Sequence, residues 1–279
     1  MIKYKWCVCD MDGTLLNSDG FISKENVIAL KKLKKIGIEV IIASGRVELR
    51  VKSFIKQLGL QGPVISCNGS LIRNIETGEV IYLKTMGKNI VKEIITYCID
   101  YNVDFLIYTE NMVYYNEGNP NGKKYRDLNK SLSEDLQLPI EYINDKIIEN
   151  IDDVQVLKIL LVCKNYEEVV FLKKYFLKYD NLTVVSSSEV LLDIMASNIS
   201  KGNALEILSN KLGVDLSKVI VFGDNYNDME MFKCAGMPIA MGNAVQDIKL
   251  QAKYVTKSND ESGIAYAINN YILKGYDNI

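Results

Sequence analysis

The run Trp6-Cys7-Val8-Cys9-Asp10-Met11-Asp12-Gly13-Thr14 joins four apolar residues to two carboxylates, two positions apart, and a turn-forming glycine. The apolar part reads as a short buried strand. A strand that stops on a carboxylate is how an open α/β sheet presents a reactive group at its carboxyl edge, where ligands bind. The two side chains can share one metal ion and still divide the work, one attacking as a nucleophile and the other moving a proton.

Strand and helix alternate outward from this run. Ser23 caps a helix with Val27, Leu30, Leu33 and Ile36 on its inner face, and Gly37 ends it. Ile38 to Ala43 is a run rich in β-branched residues, the mark of a strand buried on both faces, and Ser44-Gly45-Arg46 follows it. Val47, Val51, Phe54, Ile55 and Leu58 recur at helical spacing. Val64 to Ser66 is another strand, ending at Cys67-Asn68-Gly69, and Thr77-Gly78-Glu79 reads as a hairpin turn before Val80 to Leu83. This βαβα order predicts a Rossmann-like, doubly wound parallel sheet.

The character changes after Lys84. Ile90 to Ile99 and Tyr166 to Tyr179 read as helices. Val103 to Tyr108, Met112 to Asn116, Val154 to Cys163, Leu182 to Ser186 and Val190 to Met195 read as strands, with Gly118 to Lys124 a polar turn. A mixed sheet with helices on one face is the expectation, so residues 85–189 are assigned to an inserted α+β domain. Residues 1–84 and 190–279 form the α/β core, with hinges near Lys84 to Gly87 and Ser186 to Glu189. The core resumes at Lys201, which opens a helix with Ala204, Leu205, Leu208 and Leu212 inward. Val219 to Phe222 is a buried strand ending on Gly223-Asp224, and a helix from Asn227 to Cys234 follows. Pro238 to Met241 and Tyr254 to Thr256 are short strands before a closing helix, Gly263 to Ile272.

Composition removes several chemistries. The 279 residues include no histidine, which excludes Ser-His-Asp triads, Cys-His dyads and His-containing zinc sites. A net charge of -2 supplies no global field for nucleic acid or an anionic membrane. The six cysteines form no C-x-x-C pair and read as buried apolar residues in a reducing, cytoplasmic compartment. No apolar run is long enough to span a bilayer.

Four polar clusters follow or adjoin apolar strands: Asp10/Asp12, Ser44, Lys201 and Asp224/Asp228. The ordered set resembles the haloacid dehalogenase superfamily: DMDGT its first motif, ASGR its second, the lysine of SKGNAL its third and GDNYNDMEM its fourth. The long insertion resembles the type II cap of the Cof-like (type IIB) sugar-phosphate phosphatases. The resemblance implies Mg2+-dependent hydrolysis of small phosphorylated metabolites, sugar phosphates foremost, through an aspartyl-phosphate, under a cap that excludes water and selects the leaving group. It makes Asp10 the nucleophile and Asp12 the acid and base. Lys201 neutralises charge. Asp10, Asp224 and the backbone carbonyl of Asp12 hold the metal, with Asp228 behind them. Met11, Ser44, Gly45, Arg46, Asn68, Gly69 and Asn227 lie against the phosphate or substrate. The physical case agrees: a phosphate dianion repels nucleophiles, Mg2+ favours carboxylate and phosphate oxygens, and carboxylate attack needs no histidine base.

Phosphoryl transfer to a second metabolite, as in a phosphomutase, and a phospho-accepting signalling module without hydrolase activity are the alternatives. The expected partner is a small metabolite, with no nucleic acid or membrane, on a monomer or small homo-oligomer. Tyr108, Tyr114 and Tyr115 line a substrate pocket or serve as strand packing. Arg73 and Arg126 hold a second anionic group or make surface ion pairs.

Overall fold

A computed structural model of the chain describes residues 3–130, 132–144, 148 and 150–275. Two compact units emerge. The first gathers the chain up to Gly45, Ser53–Tyr82 and the chain from Ser200 onward; the second consists of Arg46–Lys52 and Leu83–Ile199.

The first unit is built on a five-stranded sheet in the order Tyr254–Val255, Met237–Ala240, Val219–Gly223, Trp6–Cys9, Glu39–Ile42. Every pairing in it is parallel, and Trp6 aligns with both Val219 and Glu39. Cys7, Val8, Cys9, Ile41, Ile42, Ile220, Val221 and Phe222 are wholly buried, as strands covered on both faces must be. The chain leaves Trp6–Cys9 toward Glu39–Ile42 and later enters Val219–Gly223 on the opposite side. The strand order therefore reverses between Trp6–Cys9 and Val219–Gly223, and a crevice at that switch point is where a doubly wound sheet binds its ligand.

Local chemistry sets the helix ends. Ser23 accepts from the Asn26 N–H (3.2 Å) at the start of Lys24–Lys35. Ser200 accepts from the Asn203 N–H (3.0 Å) at the start of Lys201–Leu212, which closes on Gly213 in the left-handed region. Two expected faces are rotated. Lys24–Lys35 buries Asn26, Ala29, Leu30 and Leu33 rather than Val27 and Ile36, because Asn26 Oδ1 accepts the Ala265 N–H at 2.9 Å. Leu212 is exposed rather than inward.

The expected helix from Val47 to Leu58 is a 3-10 turn, Glu48–Arg50, followed by Lys52–Leu58. The third strand, Pro63–Ser66, does not continue the parallel sheet. It turns back antiparallel to Leu71–Asn74, in a separate sheet with Val80–Leu83. A single parallel bridge, Ala43 to Ile65, ties it to the end of Glu39–Ile42.

The second unit holds a six-stranded sheet ordered Leu182–Ser188, Leu191–Ala196, Lys158–Val162, Asp104–Tyr108, Val113–Tyr115, Ile140–Tyr142. Neighbours run antiparallel except the last pair. Helices Lys88–Asp100 and Tyr166–Phe176 lie side by side, with the Tyr97 ring 4.6 Å from that of Tyr175 and 5.4 Å from that of Phe176.

Three expectations change here. Leu191–Ala196 pairs on both sides with strands of this sheet, so the chain returns to the first unit at Ser200 and not at residue 190. Ser186 to Glu189 is the hairpin tip between two of those strands, and Lys84 to Gly87 lies wholly in the second unit, where Lys84 Nζ donates to the Ser197 carbonyl at 2.8 Å. Neither segment joins the units. The supposed polar turn at Gly118 to Lys124 contains the start of a helix, Pro120–Asn129, whose cap Asn119 accepts from the Asn121 and Gly122 N–H groups. Proline at its first position is pre-set for a helix.

Candidate active site

Asp10 extends the parallel ladder one residue past Cys9, its N–H donating to the Phe222 carbonyl at 3.1 Å. The chain then folds tightly: the Leu15 N–H reaches the Asp10 carbonyl (3.2 Å) and the Leu16 N–H the Met11 carbonyl (2.9 Å). Gly13 turns this loop at φ +76°, and a Cβ there would lie 2.4 Å from Asp224 Oδ2, so only glycine fits. Thr14 Oγ1 donates to Asp224 Oδ1 at 2.9 Å. Asn243 Nδ2 holds the Gly13 carbonyl at 2.8 Å.

Lys201, the first residue of its helix, is completely buried. Its Nζ donates to Asp10 Oδ1 and, at 2.7 Å, to Asp228 Oδ1. The other oxygen of Asp228 accepts the Asp224 N–H (2.9 Å) and the Asn225 N–H (3.2 Å). Asp228 thus ties the turn after Val219–Gly223 to the lysine, and both of its oxygens are engaged.

A second group adjoins the first. Buried Ser44 donates its N–H to the Ile65 carbonyl at 2.9 Å, and its own carbonyl accepts the Asn68 N–H at 3.0 Å. Cys67 and Asn68 both take positive φ, 48° and 55°. Asn68 Oδ1 accepts from Asn227 Nδ2 at 3.3 Å, while the buried Asn68 Nδ2 has no hydrogen-bond partner. Gly45 faces this amide so closely that a Cβ would lie 2.9 Å from Asn68 Oδ1. A Cβ on Gly69 would lie 2.4 Å from the Ser200 carbonyl, directly before Lys201.

The structure therefore gathers Asp10, Lys201, Asp224 and Asp228, and beside them Ser44, Gly45, Asn68, Gly69 and Asn227. Met11 is buried in the turn after the first strand, and Asp12 is exposed in that turn. Arg46 belongs to the second unit. Sequence reasoning passed over Thr14 and Asn243 as site residues. Thr14 stood within the quoted run, but nothing in the sequence around Asn243 marks it.

The carboxylates of Asp10, Asp224 and Asp228 offer oxygens within 4.8 Å of one another. Three carboxylates thus face one ammonium, in surroundings that bury Asp10, Asp228 and Lys201. Burial holds the Asp10 carboxyl well above the usual range, Asp228 and more weakly Asp224 and Asp12 push it the same way, and Lys201 opposes them. Burial and the Asp228 charge raise Asp224 to about 6, against the Thr14 hydrogen bond. Burial disfavours the Lys201 ammonium, but Asp10 and Asp228 outweigh it and hold the lysine protonated. An all-oxygen donor set with surplus negative charge fits Mg2+, a hard divalent cation.

Comparison with known proteins gives the family. Residues 7–268 match the family model of the haloacid dehalogenase-like hydrolases. The chain is 31% identical to the phosphatase YwpJ of Bacillus subtilis, covering 96% of this chain and 100% of that one. It is 30% identical to 5-amino-6-(5-phospho-D-ribitylamino)uracil phosphatase YwtE, also of Bacillus subtilis, covering 98% and 99%. Its fold matches that of BT4131, a sugar phosphatase of subclass IIB, at a TM-score of 0.80 and 24% identity over 99% of this chain and 100% of that one. The chain belongs to the haloacid dehalogenase-like hydrolases and is a phosphatase of that superfamily.

Proposed function

We propose that the protein hydrolyses small phosphorylated metabolites, sugar phosphates foremost, with Mg2+ and through a phosphoryl group carried on Asp10. The observation that carries this reading is the Asp10 carboxylate at the switch point, held by Lys201 and facing Asp224 and Asp228. Asp10 and Asp224, with the Asp12 backbone carbonyl, hold the metal. Asp228 stays behind them, because Lys201 and two backbone N–H groups already occupy its oxygens. Bound Mg2+ supplies the positive charge that lets an anionic carboxylate approach a phosphate dianion.

The chain's own groups do the rest. An Asp10 oxygen bonds to phosphorus as the bond to the leaving oxygen breaks, and Asp12 delivers the proton that oxygen needs. Asp12 then takes a proton from water as the water attacks phosphorus, releasing phosphate and restoring Asp10. Its exposed position suits a group that exchanges protons with solvent and leaving group. Lys201 offsets charge on Asp10 and the phosphoryl oxygens. Ser44, backbone N–H groups beside it and the unpartnered Asn68 amide supply donors for the phosphoryl oxygens. The named substrate of YwtE is a phosphorylated ribityl compound, which supports a phosphate on a hydroxylated carbon chain.

The test is phosphate release from a panel of phosphorylated metabolites, with and without Mg2+, beside Asp10→Asn. Mg2+-dependent release that falls about 10^3-fold or more in the variant is expected, the scale on which losing a catalytic group is felt. Release undiminished in Asp10→Asn, with reversion to Asp excluded by mass spectrometry, overturns the nucleophile.

A further inference from the structure

Asp12 moves a proton twice in the proposed chemistry, and it does so from an exposed turn. A group so placed reaches the reacting atoms reliably only if its backbone is held from outside, because small misplacements of an acid or base cost rate steeply.

The last third of the chain supplies the hold, within the first unit. Asn243 Nδ2 donates to the carbonyl of Gly13, the residue after Asp12, at 2.8 Å. Asn243 Oδ1 accepts the Asn259 N–H at 3.0 Å. The buried Asn259 side chain then donates Nδ2 to the Leu16 carbonyl at 2.9 Å, and Leu16 forms a β-bridge with Asp12 itself. Two side-chain amides, linked to each other, thus hold two backbone carbonyls of the stretch that follows Asp12. Further along, Asp260 accepts the Ser18 N–H and the Ser18 hydroxyl, each at 2.7 Å.

The turn that carries Asn243 is anchored in its own right. The Met241 N–H donates to the Gly223 carbonyl at 3.1 Å and the Val245 N–H to the Asp224 carbonyl at 3.0 Å. The Gly242 N–H reaches the Lys257 carbonyl at 3.0 Å, and a Cβ on Gly242 would lie 2.7 Å from the Ser258 nitrogen, so the turn packs directly on the segment leading to Asn259. These are backbone contacts, and they survive a change of the Asn243 side chain. Asn243 itself is exposed, where substitutions cost folding little.

We propose that Asn243, steadied by Asn259, is a positioning residue for Asp12, fixing the turn so that the Asp12 carboxyl meets first the leaving oxygen and then the attacking water. This rests on the phosphatase reading above. Asp12 gives its proton to an alkyl leaving oxygen as the bond from that oxygen to phosphorus breaks. It takes a proton from water as the water oxygen bonds to phosphorus and the bond to Asp10 breaks. p-Nitrophenolate leaves as a stable anion, so the first step with p-nitrophenyl phosphate needs no proton from Asp12. Single-turnover release of p-nitrophenol, with enzyme in excess, therefore reads attack by Asp10 alone, whereas kcat for the best alkyl phosphate of the panel needs Asp12.

Both are measured in wild type, Asn243→Ala, Asn243→Asp and Asp260→Ala. Asn243→Asp keeps an oxygen for the Asn259 N–H but sets a second oxygen against the Gly13 carbonyl. Both Asn243 variants are expected to lower kcat for the alkyl phosphate about 10-fold, the scale of one good hydrogen bond. Its KM and the single-turnover rate stay within about threefold, because attack and phosphate binding are untouched. Asp260→Ala, which releases only Ser18, stays within about threefold throughout. Equal losses on both readouts in the Asn243 variants show a merely structural role and overturn the inference. An unchanged kcat in both variants, or the same split in Asp260→Ala, overturns it as well, and each leaves the phosphatase reading standing. A wild type that releases phosphate from no substrate brings down that reading and this inference with it.

Discussion

Each unit buries charge on a sheet, but in opposite ways. In the first, three carboxylates face a single lysine at the carboxyl edge of a parallel sheet. In the second, one lysine meets one carboxylate in the middle of an antiparallel sheet. The first cluster carries surplus negative charge, whereas the second, Lys158 with Asp193, is neutral. Unbalanced buried charge leaves room for an incoming cation, whereas a balanced buried pair calls for no further ion.

The sharpest way to break this contrast is Lys201→Met. Among the described residues it removes the one ammonium facing three acidic side chains, so phosphate release is expected to fall about 10^3-fold. Removing one partner of a buried pair also costs about 3 kcal/mol of stability, read as a lower urea midpoint. A variant retaining more than about a tenth of wild-type turnover would show that the surplus negative charge is not what Lys201 answers.

Two glycines sharpen the contrast further. Gly13→Ala forces a methyl group against Asp224 at positive φ, so it should cut turnover and raise the Mg2+ concentration needed for half-maximal rate by about tenfold. Gly122→Ala instead drives a methyl into the Tyr115 ring, costing about 1–3 kcal/mol in a chemical melt while p-nitrophenyl phosphate turnover at 25 °C persists. A Gly13→Ala enzyme with unaltered metal dependence would separate the loop from the carboxylates.

The smallest effect expected is at the thiols. Five of the six cysteines are buried and Cys234 is half-buried. Burial pushes Cys163 and Cys234 up to about 12, aided by nearby Glu168 for the first and Glu206 for the second. A raised thiol stays protonated below its folded value, so about 10^-4 of each is thiolate at pH 8. Native protein should react with almost no Ellman's reagent at that pH, and urea-unfolded protein with six equivalents. Rapid reaction of even one native thiol would refute the buried reading.

Much of the first unit was legible in the sequence because its signals are local. Ser23 and Ser200 announce helix starts, and β-branched runs announce strands buried on both faces. Asp10, Lys201, Asp224 and Asp228 were legible because each adjoins such a signal. Pro63–Ser66 was misplaced because a strand's sequence carries no record of its partner: its residues suit a parallel neighbour or an antiparallel one equally. Helix Pro120–Asn129 hid because most of its residues are polar, leaving no apolar stripe to count. Leu191–Ala196 was given to the wrong unit because sheet membership is decided by hydrogen bonds to strands far away in the chain. Thr14 and Asn243 act through loops brought together by folding, 229 positions apart by their numbers (243 − 14), and no pattern in either stretch records the meeting.

The parallel register of Trp6–Cys9 with Val219–Gly223 also has a consequence for biosynthesis. As the chain leaves the ribosome, Asp10 emerges about two hundred residues before Asp224 and Lys201. The nascent first unit cannot close its central strand pair or acquire its ammonium during that time, whereas Leu83–Ile199 already holds every strand of its own sheet. Domains fold as units once their chain is available. Synthesis therefore delivers the second unit's sheet first, and the Asp10 carboxylate gains its buried partners only in the last third of translation.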